Sequence, residues 1–337
     1  MENAVAHDVR YYAIQVAARL VAPFFEFWFP DSLIWWPFLL SALLLAAAWF
    51  CVADGRGRDS LKEFRRRYLG RAIWGHRSAQ VDYAYFIVNT ICFPAIVGPL
   101  VLTGAALTAA MQWALTHAFG PMTAPLFDIV AARTLYTVLF FLAYDFGRFV
   151  AHNLLHEVPL LWEFHRVHHS AEVLTPMTNY RLHPVDLFVM QVCPNLATAL
   201  VSGVFFYFCG GAIGFYSFFG LHVGIAAFNA IGNLRHWHVW VSFGPTLGRW
   251  LISPAHHQVH HSREARHLGK NRGFELAIWD RLFGSLYVPS TEERFEMGLG
   301  DGTDGAWNSV GRLYVWPFRY AMARIGLARA PLPESKN

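Results

Sequence analysis

The chain has 337 residues, 55% of them hydrophobic and only 15% charged, whereas soluble enzymes carry about a quarter charged residues, so composition excludes an ordinary soluble enzyme and points to a membrane. The net charge of +4 is small and concentrated in one stretch, which gives no reason to expect a nucleic-acid partner. The four cysteines (Cys51, Cys92, Cys193, Cys209) are far apart, form no CxxC pair and lie in apolar stretches, so they read as buried free thiols rather than disulfides or zinc ligands.

Along the chain, residues 11–29 are apolar but interrupted by Arg19, Pro23 and Glu26, which suits an interfacial helix. Glu2 and Asp8 near the start, and a first long apolar run beginning only near Leu33, argue against a cleavable signal peptide. Runs long enough to cross hydrocarbon, which takes about 20 helical residues, follow at 33–53, 81–119, 128–150, 185–208 and 212–231. The second is broken by Gly98-Pro99 and reads as a kinked span or a span plus a re-entrant piece; Gly210-Gly211 separates the last two. The segment after the first span carries Arg56, Arg58, Lys62, Arg65, Arg66, Arg67, Arg71 and Arg77, which the positive-inside rule makes cytosolic. If 81–119 crosses once, His152 and the residues after it are then cytosolic, and a 185–231 hairpin returns the C-terminal region to the same face. The basic segment is also a candidate surface for anionic lipid or an acidic electron donor.

Seventeen histidines include three patterned groups: His152 and His156 as HxxxH, then His165, His168 and His169 as HxxHH, and much later His257, His260 and His261 as HxxHH again. On a helix, positions i, i+3 and i+4 share a face, so each group presents its imidazoles side by side. Two adjacent imidazoles are expected to share one metal while the third reaches a second ion. Packed so closely, these side chains are costly to hold as cations, and binding metal as neutral ligands resolves that cost. Imidazole suits iron, zinc, copper or nickel. A zinc protease needs HExxH, but after His156-Glu157 position 160 is leucine. A carboxylate di-iron bundle needs paired ExxH repeats, and the one ExxH, Glu264 to His267, reads as chance. A catalytic zinc uses three protein ligands and leaves most of these histidines unexplained, whereas they suffice for two ions with positions open for dioxygen. A membrane zinc hydrolase and a non-catalytic metal-handling protein are the rival readings.

The run Asp145 to Ser170 (DFGRFVAHNLLHEVPLLWEFHRVHHS), the run Ser253 to Ser262 (SPAHHQVHHS), Asn271-Arg-Gly-Phe274 and Trp279-Asp-Arg-Leu-Phe-Gly-Ser285 together resemble the fatty acid hydroxylase/sterol desaturase superfamily over roughly residues 130–290. The resemblance implies an all-α fold, a polytopic membrane helical bundle under a cytosolic, histidine-rich metal-binding cap. It divides the chain into N-terminal membrane helices with a basic cytosolic loop (1–127), a catalytic domain (128–290) and a C-terminal cytosolic tail (291–337). It also implies two iron ions, expected to carry an oxo or hydroxo bridge, with dioxygen as co-substrate. The reaction is hydroxylation of a lipid C–H bond, with desaturation as the alternative, on a fatty acyl lipid, sterol or hopanoid, or carotenoid. The ligands carried over by position are His152, His156, His165, His168, His169, His257, His260 and His261. For a further ligand between the second and third groups His236 is the first choice, with His238, His222 and His183 as rivals. Asp145, two turns before His152 on the same face, is expected to accept from a ligand imidazole N–H and fix its tautomer. His256 falls outside the HxxHH register and reads as a neighbour. Two departures from the family pattern are Gly269 where an aspartate is common and Asn153 where an arginine is common. With no dinucleotide fingerprint at Gly55-Arg-Gly57-Arg and no cysteine set for an iron–sulfur cluster, electrons must come from outside, from a cytochrome b5-, ferredoxin- or reductase-type donor.

Overall fold

The computed structural model describes residues 17–54, 59–101, 103–122, 128–211 and 213–331. The basic residues Arg56 and Arg58 and part of the 11–29 segment lie outside them; residues 17–25 are helical. The labelled helices are α1 (Trp36–Asp54), α2 (Ser60–Tyr68), α3 (Arg77–Ile96), α4 (Gly104–Phe119), α5 (Ile129–Glu157), α6 (Pro159–His169), α7 (Pro184–Phe208), α8 (Val223–Gly232), α9 (Pro254–His260), α10 (Ile278–Phe283) and α11 (Val310–Arg324). The only paired strands among the described residues are a two-residue hairpin, β1 (Ser217–Phe218) and β2 (Leu221–His222). Four helical segments, at 36–53, 98–119, 129–157 and 184–208, are long and apolar enough to cross a membrane, so the molecule is a largely helical, multi-spanning bundle.

α5 organises this bundle. Its 29 residues extend about 43 Å, against a hydrocarbon core of about 30 Å. The C-terminal end, carrying His152 and His156, therefore has the length to stand clear of the apolar slab. Asp128 caps the start, its carboxylate accepting from the N–H groups of Val130 (2.9 Å) and Ala131 (3.0 Å). Pro159 ends it, since it cannot continue the hydrogen-bond ladder, and opens α6 instead. α7 packs antiparallel along α5, starting on the cap side, where the His183 ring accepts from the Val185 N–H (3.1 Å) and Pro184 takes the first helical position. The two helices meet backbone to backbone at Gly147, where an added Cβ would lie 2.5 Å from the Pro194 Cα. Gly147→Leu is therefore expected to cost about 1–3 kcal/mol, read as a lowered thermal midpoint in detergent; an unchanged midpoint would mean the helices do not touch there.

Within 81–119, the break at Gly98-Pro99 separates two roles. The first part of α3 belongs with the cap: Asn89 donates to the Leu182 carbonyl (2.9 Å), and Asp82 pairs with Arg181 (2.8 Å). α4 then runs parallel to α7, with Gly203 against Met111 and the Tyr207 hydroxyl donating to the Gly120 carbonyl (2.9 Å). Of this stretch, the segment 98–119 is long and apolar enough to cross a membrane.

The expected fifth span, 212–231, is not one helix. Glycines 210, 211 and 220 have positive φ, and Phe219-Gly220, both with positive φ, make the tight turn of the β1–β2 hairpin. The 10-residue α8 follows, about 15 Å long, half the hydrocarbon thickness. Irregular backbone at that depth needs partners inside the protein. The Tyr216 N–H finds the Thr137 hydroxyl (3.0 Å), and Arg133 donates to the Phe215 carbonyl (3.2 Å). Apolar composition alone suggested a span here, but Tyr216, Phe218, Phe219 and Val223 are exposed, and the glycines do not support helix along the whole length.

The cap rests on two aromatic clusters. Phe50, Phe64, Tyr68 and Trp237 join α1 and α2 to the segment that carries His236. Tyr85, Val167, Trp307 and Trp316 join α3 and α6 to the residues after 291, so the tail folds onto the cap rather than hanging from it.

Candidate metal centre

Nine imidazoles converge from four pieces of chain into two neighbouring groups. His152, His156, His165, His169 and His260 form one, and His168, His236, His257 and His261 the other; within each, the potential ligand atoms all lie within 4.8 Å of one another. The helical repeat explains the division. Positions i and i+4 differ by about 40° around a helix and i+3 and i+4 by about 100°. His165 and His169 thus share a group while His168 turns to the other, and His257 and His261 share a group while His260 turns away. The expectation that adjacent imidazoles share one ion is reversed: each His-His pair is split between the groups.

The nitrogens face one another at close range. In the first group the Nε2 of His152 lies 3.1 Å from that of His165 and 3.2 Å from that of His156, which is 3.2 Å from the Nε2 of His260. In the second, the Nε2 of His236 lies 3.1 Å from His168, 3.2 Å from His261 and 2.9 Å from His257. Nitrogens about 2.1 Å from one ion and at right angles to each other stand about 3.0 Å apart. The opposite edges of several rings are already committed. His152 donates its Nδ1–H to the Arg272 carbonyl (2.7 Å), His260 to the Lys270 carbonyl (2.8 Å), and His165 to the Asp186 carboxylate (2.6 Å). These acceptors fix the proton on Nδ1, so the inward Nε2 atoms are lone pairs aimed at lone pairs. The buried Nε2 of His169 also has no hydrogen-bond partner among the described residues. A cation in each group satisfies this arrangement, and an all-nitrogen donor set fits a transition metal rather than magnesium or calcium.

Burial, and then the neighbouring imidazoles, pushes His168, His169, His257 and His261 well below the ordinary value of 6.5. Burial with Arg235 alongside takes His236 to about 3, and burial takes His260 to about 3 as well. His183, His238 and His256 are each lowered to about 4 by burial. These groups are neutral near pH 7, the state a ligand requires. Because their folded values lie below the unfolded one, the unfolded chain takes up protons first on acidification, and stability present above pH 6.5 is lost as pH falls below it. The thermal midpoint of metal-free protein should accordingly fall steeply from about pH 6.5 toward about pH 4 and stay level above pH 7. A midpoint indifferent to pH across that window would contradict the buried neutral cluster.

Each ligand position is set by local chemistry. The His236 segment is clamped by Gln258, whose side-chain amide donates to the carbonyls of Trp237 (2.7 Å) and Val239 (2.9 Å). Ser253 and His256 form a capping box that starts α9, so His256 is a helix cap, its Nε2–H donating to the Gly248 carbonyl (3.0 Å). The three rivals to His236 are engaged elsewhere. His183 caps α7 and reaches the Tyr314 carbonyl (3.3 Å), His222 caps α8 and donates to the Thr137 carbonyl (2.8 Å), and the His238 Nε2 accepts from the Leu174 N–H (3.0 Å).

Asp145 meets other partners than the sequence suggested. It accepts from the backbone N–H groups of Glu275 (2.9 Å) and Leu276 (3.1 Å) and from the Trp279 indole (2.8 Å), and no imidazole is among its partners. The cap segment returns across α5 at that depth and covers the carboxylate before an imidazole can reach it. Asp145 thereby pins the strand of chain whose Lys270 and Arg272 carbonyls hold His260 and His152. Asp280 pins its other side, accepting from the N–H groups of Arg272 (2.7 Å) and Gly273 (2.7 Å). The carboxylate that does hold one of the nine imidazoles is Asp186, on His165, which the sequence reading passed over. Its signal was its place in the first turn of α7, three residues past His183.

One cavity opens on the first group, and a second lies apart from both. A cleft of about 270 Å³ is lined by His156, His169 and His260 together with Trp162, Ser262 and Arg272. An apolar cavity of about 430 Å³ lies where α3, α7 and α11 meet, lined by Phe93, Val97, Val185, Phe188 and Phe318, with Val185 adjacent to the Asp186 that holds His165.

Residues 137–285 match the family model described as Fatty acid hydroxylase. The chain is 30% identical over 155 residues to the ornithine lipid hydroxylase OlsE of Rhizobium tropici, covering 46% of this chain and 43% of that protein. It is 32% identical over 177 residues to the alkylglycerol monooxygenase of Danio rerio, covering 52% of this chain and 36% of that protein. The fatty acid hydroxylase vlmA of a Lecanicillium species is 31% identical over 158 residues, covering 44% and 41%. In each case the match spans less than half the length of the curated relative. No solved structure matches the chain.

Proposed function

The chain belongs to the fatty acid hydroxylase/sterol desaturase superfamily, and from that premise we propose that it is a multi-pass membrane oxygenase that uses two iron ions, dioxygen and outside electrons to hydroxylate a C–H bond of a lipid. The convergence of nine imidazoles into a group of five and a group of four carries this reading. His152, His156, His165, His169 and His260 hold one ion, and His168, His236, His257 and His261 the other. Iron in these sites supplies the redox chemistry that splits dioxygen and removes hydrogen from an unactivated carbon. The protein keeps the donors preorganised through the Lys270 and Arg272 carbonyls and Asp186.

The catalytic unit is 128–290, with 1–127 supplying membrane helices and a basic loop and 291–337 a tail. The metal face is cytosolic, the side on which Lys62 and Arg65 to Arg67 are expected to lie. A separate protein delivers the electrons there. A lipid with a long alkyl chain suits the apolar cavity against α7, and the relatives named as hydroxylases and monooxygenases favour oxygen insertion over desaturation. The test is to express the chain under ¹⁸O-labelled dioxygen and compare lipid extracts. A lipid gaining one labelled oxygen supports the proposal; a lipid losing two hydrogens, or an unchanged profile, counts against it.

A further inference from the structure

We propose that α11 lies in the membrane interface as a phospholipid-binding helix. Its arginine edge takes the phosphate of an anionic lipid, and the apolar cavity behind Phe318 takes that lipid's acyl chain. This rests on the membrane reading of the long helices, and it deepens the oxygenase reading by naming the class of lipid that reaches the cavity. At about 100° per residue, α11 divides into three sectors. Leu313 and Trp316 are buried with Val167 and Trp307, and Arg324 reaches Glu163 of α6 (2.6 Å), so the inner sector is fixed to the cap. Val315, Phe318, Met322 and Ile325 fall within about 80° of one another on the other side, and they stay between 41% and 59% exposed. Arg319 borders this apolar sector, exposed and without an acidic partner among the described residues, and Arg312 stands on the same edge seven residues earlier. From Gly305 to Pro333 the sequence carries four arginines and no lysine, aspartate or glutamate. An exposed apolar stripe bordered by arginines suits a helix lying in a headgroup layer, where the stripe sinks and the guanidinium groups stay at phosphate level.

The surroundings decide what covers the stripe. Phe318 lines the apolar cavity together with Leu100, Val185 and Phe188. Those three residues stand in the first turns of 98–119 and 184–208, two of the segments long and apolar enough to cross a membrane. The stripe therefore sits where hydrocarbon begins, a depth that a water-soluble partner does not reach. Tyr314, one turn before Phe318, lines the same cavity, so the sectors around the helix run from cavity to apolar stripe to arginine edge. That order follows the gradient of a bilayer from acyl chain to headgroup. The rings of Phe164 and His183 back Phe318 at 5.1 and 5.2 Å and set its place at the mouth. Inside, both His183 nitrogens are already taken, by the Val185 N–H and the Tyr314 carbonyl, which leaves walls suited to hydrocarbon rather than to a polar group. At the outer edge a guanidinium offers phosphate two parallel N–H donors, and a headgroup of net negative charge gains most from it.

The test uses the full chain in phosphatidylcholine vesicles and needs neither iron nor turnover. Phosphatidylglycerol or phosphatidylcholine carrying a photoreactive diazirine in its acyl chain is mixed into the vesicles, and labelled residues are located by peptide mass spectrometry. Labelling is expected at Val315, Phe318 or Met322 and at Phe188 in the cavity, with the phosphatidylglycerol probe giving about fivefold more at α11 than the phosphatidylcholine probe. Arg319→Gln should remove that preference and Arg319→Lys should keep it, with labelling of 129–157 unchanged in both. A labelled 129–157 beside an untouched α11 would overturn the inference and leave the stripe to a soluble partner. Equal labelling by the two probes, or a preference that survives Arg319→Gln, would overturn it as well. No labelling of 129–157 would instead sink the membrane reading. A chain that labels as expected yet adds no ¹⁸O to any lipid keeps this site and loses the oxygenase reading alone.

Discussion

Replacing His165 with alanine is expected to reduce bound metal from two ions per chain to about one and to lower lipid oxidation by more than about 100-fold. His165 is the one ligand whose far edge is held by a carboxylate, and its Nε2 lies 3.1 Å from that of His152, so its loss removes a donor and loosens a second. Asp186→Asn separates the contributions. The amide can still accept from the His165 Nδ1–H but brings no charge, so a milder loss of about 10- to 100-fold in metal affinity or activity follows. Metal content measured beside turnover distinguishes the two variants. A His165→Ala protein that keeps both ions would show that the five-imidazole group is not a site.

The second large effect lies away from the metals. Arg181 and Asp82 are fully buried and paired at 2.8 Å, and the same guanidinium reaches the Val167 carbonyl (2.9 Å) and the Ser170 hydroxyl (2.8 Å). One side chain thus ties α3 to the end of the helix that carries His165, His168 and His169. Arg181→Met leaves a buried carboxylate without its partner, at a cost of about 3–5 kcal/mol. That corresponds to a fall of roughly 10 °C or more in thermal midpoint. Replacing both partners, as Asp82→Leu with Arg181→Met, should be less harmful than the single change, because no charge is then stranded. Equal losses would mean the pair acts only by filling space.

The metal-binding histidines were legible because HxxxH and HxxHH are helical spacings, and a helix turns spacing into direction without help from the rest of the fold. The pairing within each site was not, since it depends on α6 and α9 facing each other, and that contact joins residues far apart in sequence. The same limit explains Asp145 and Asp186. Both are buried carboxylates near a histidine helix, and only the path of 270–280 across α5 decides that backbone N–H groups occupy the first while an imidazole takes the second. His222 and His183 look like ligands by composition, yet each stands immediately before a helix, where a ring nitrogen accepts from an early N–H. Hydropathy located the four long apolar helices, but it cannot tell a span from a glycine-rich stretch that is equally apolar and only half helical, as at 212–231.

Metal analysis of the protein purified anaerobically after iron-replete expression tests the central claim most directly. Two imidazole groups holding two ions predict two irons per chain, with oxidation of lipid lost on chelation and restored by ferrous iron. A single tightly bound zinc that restores activity, with iron giving none, would contradict the account.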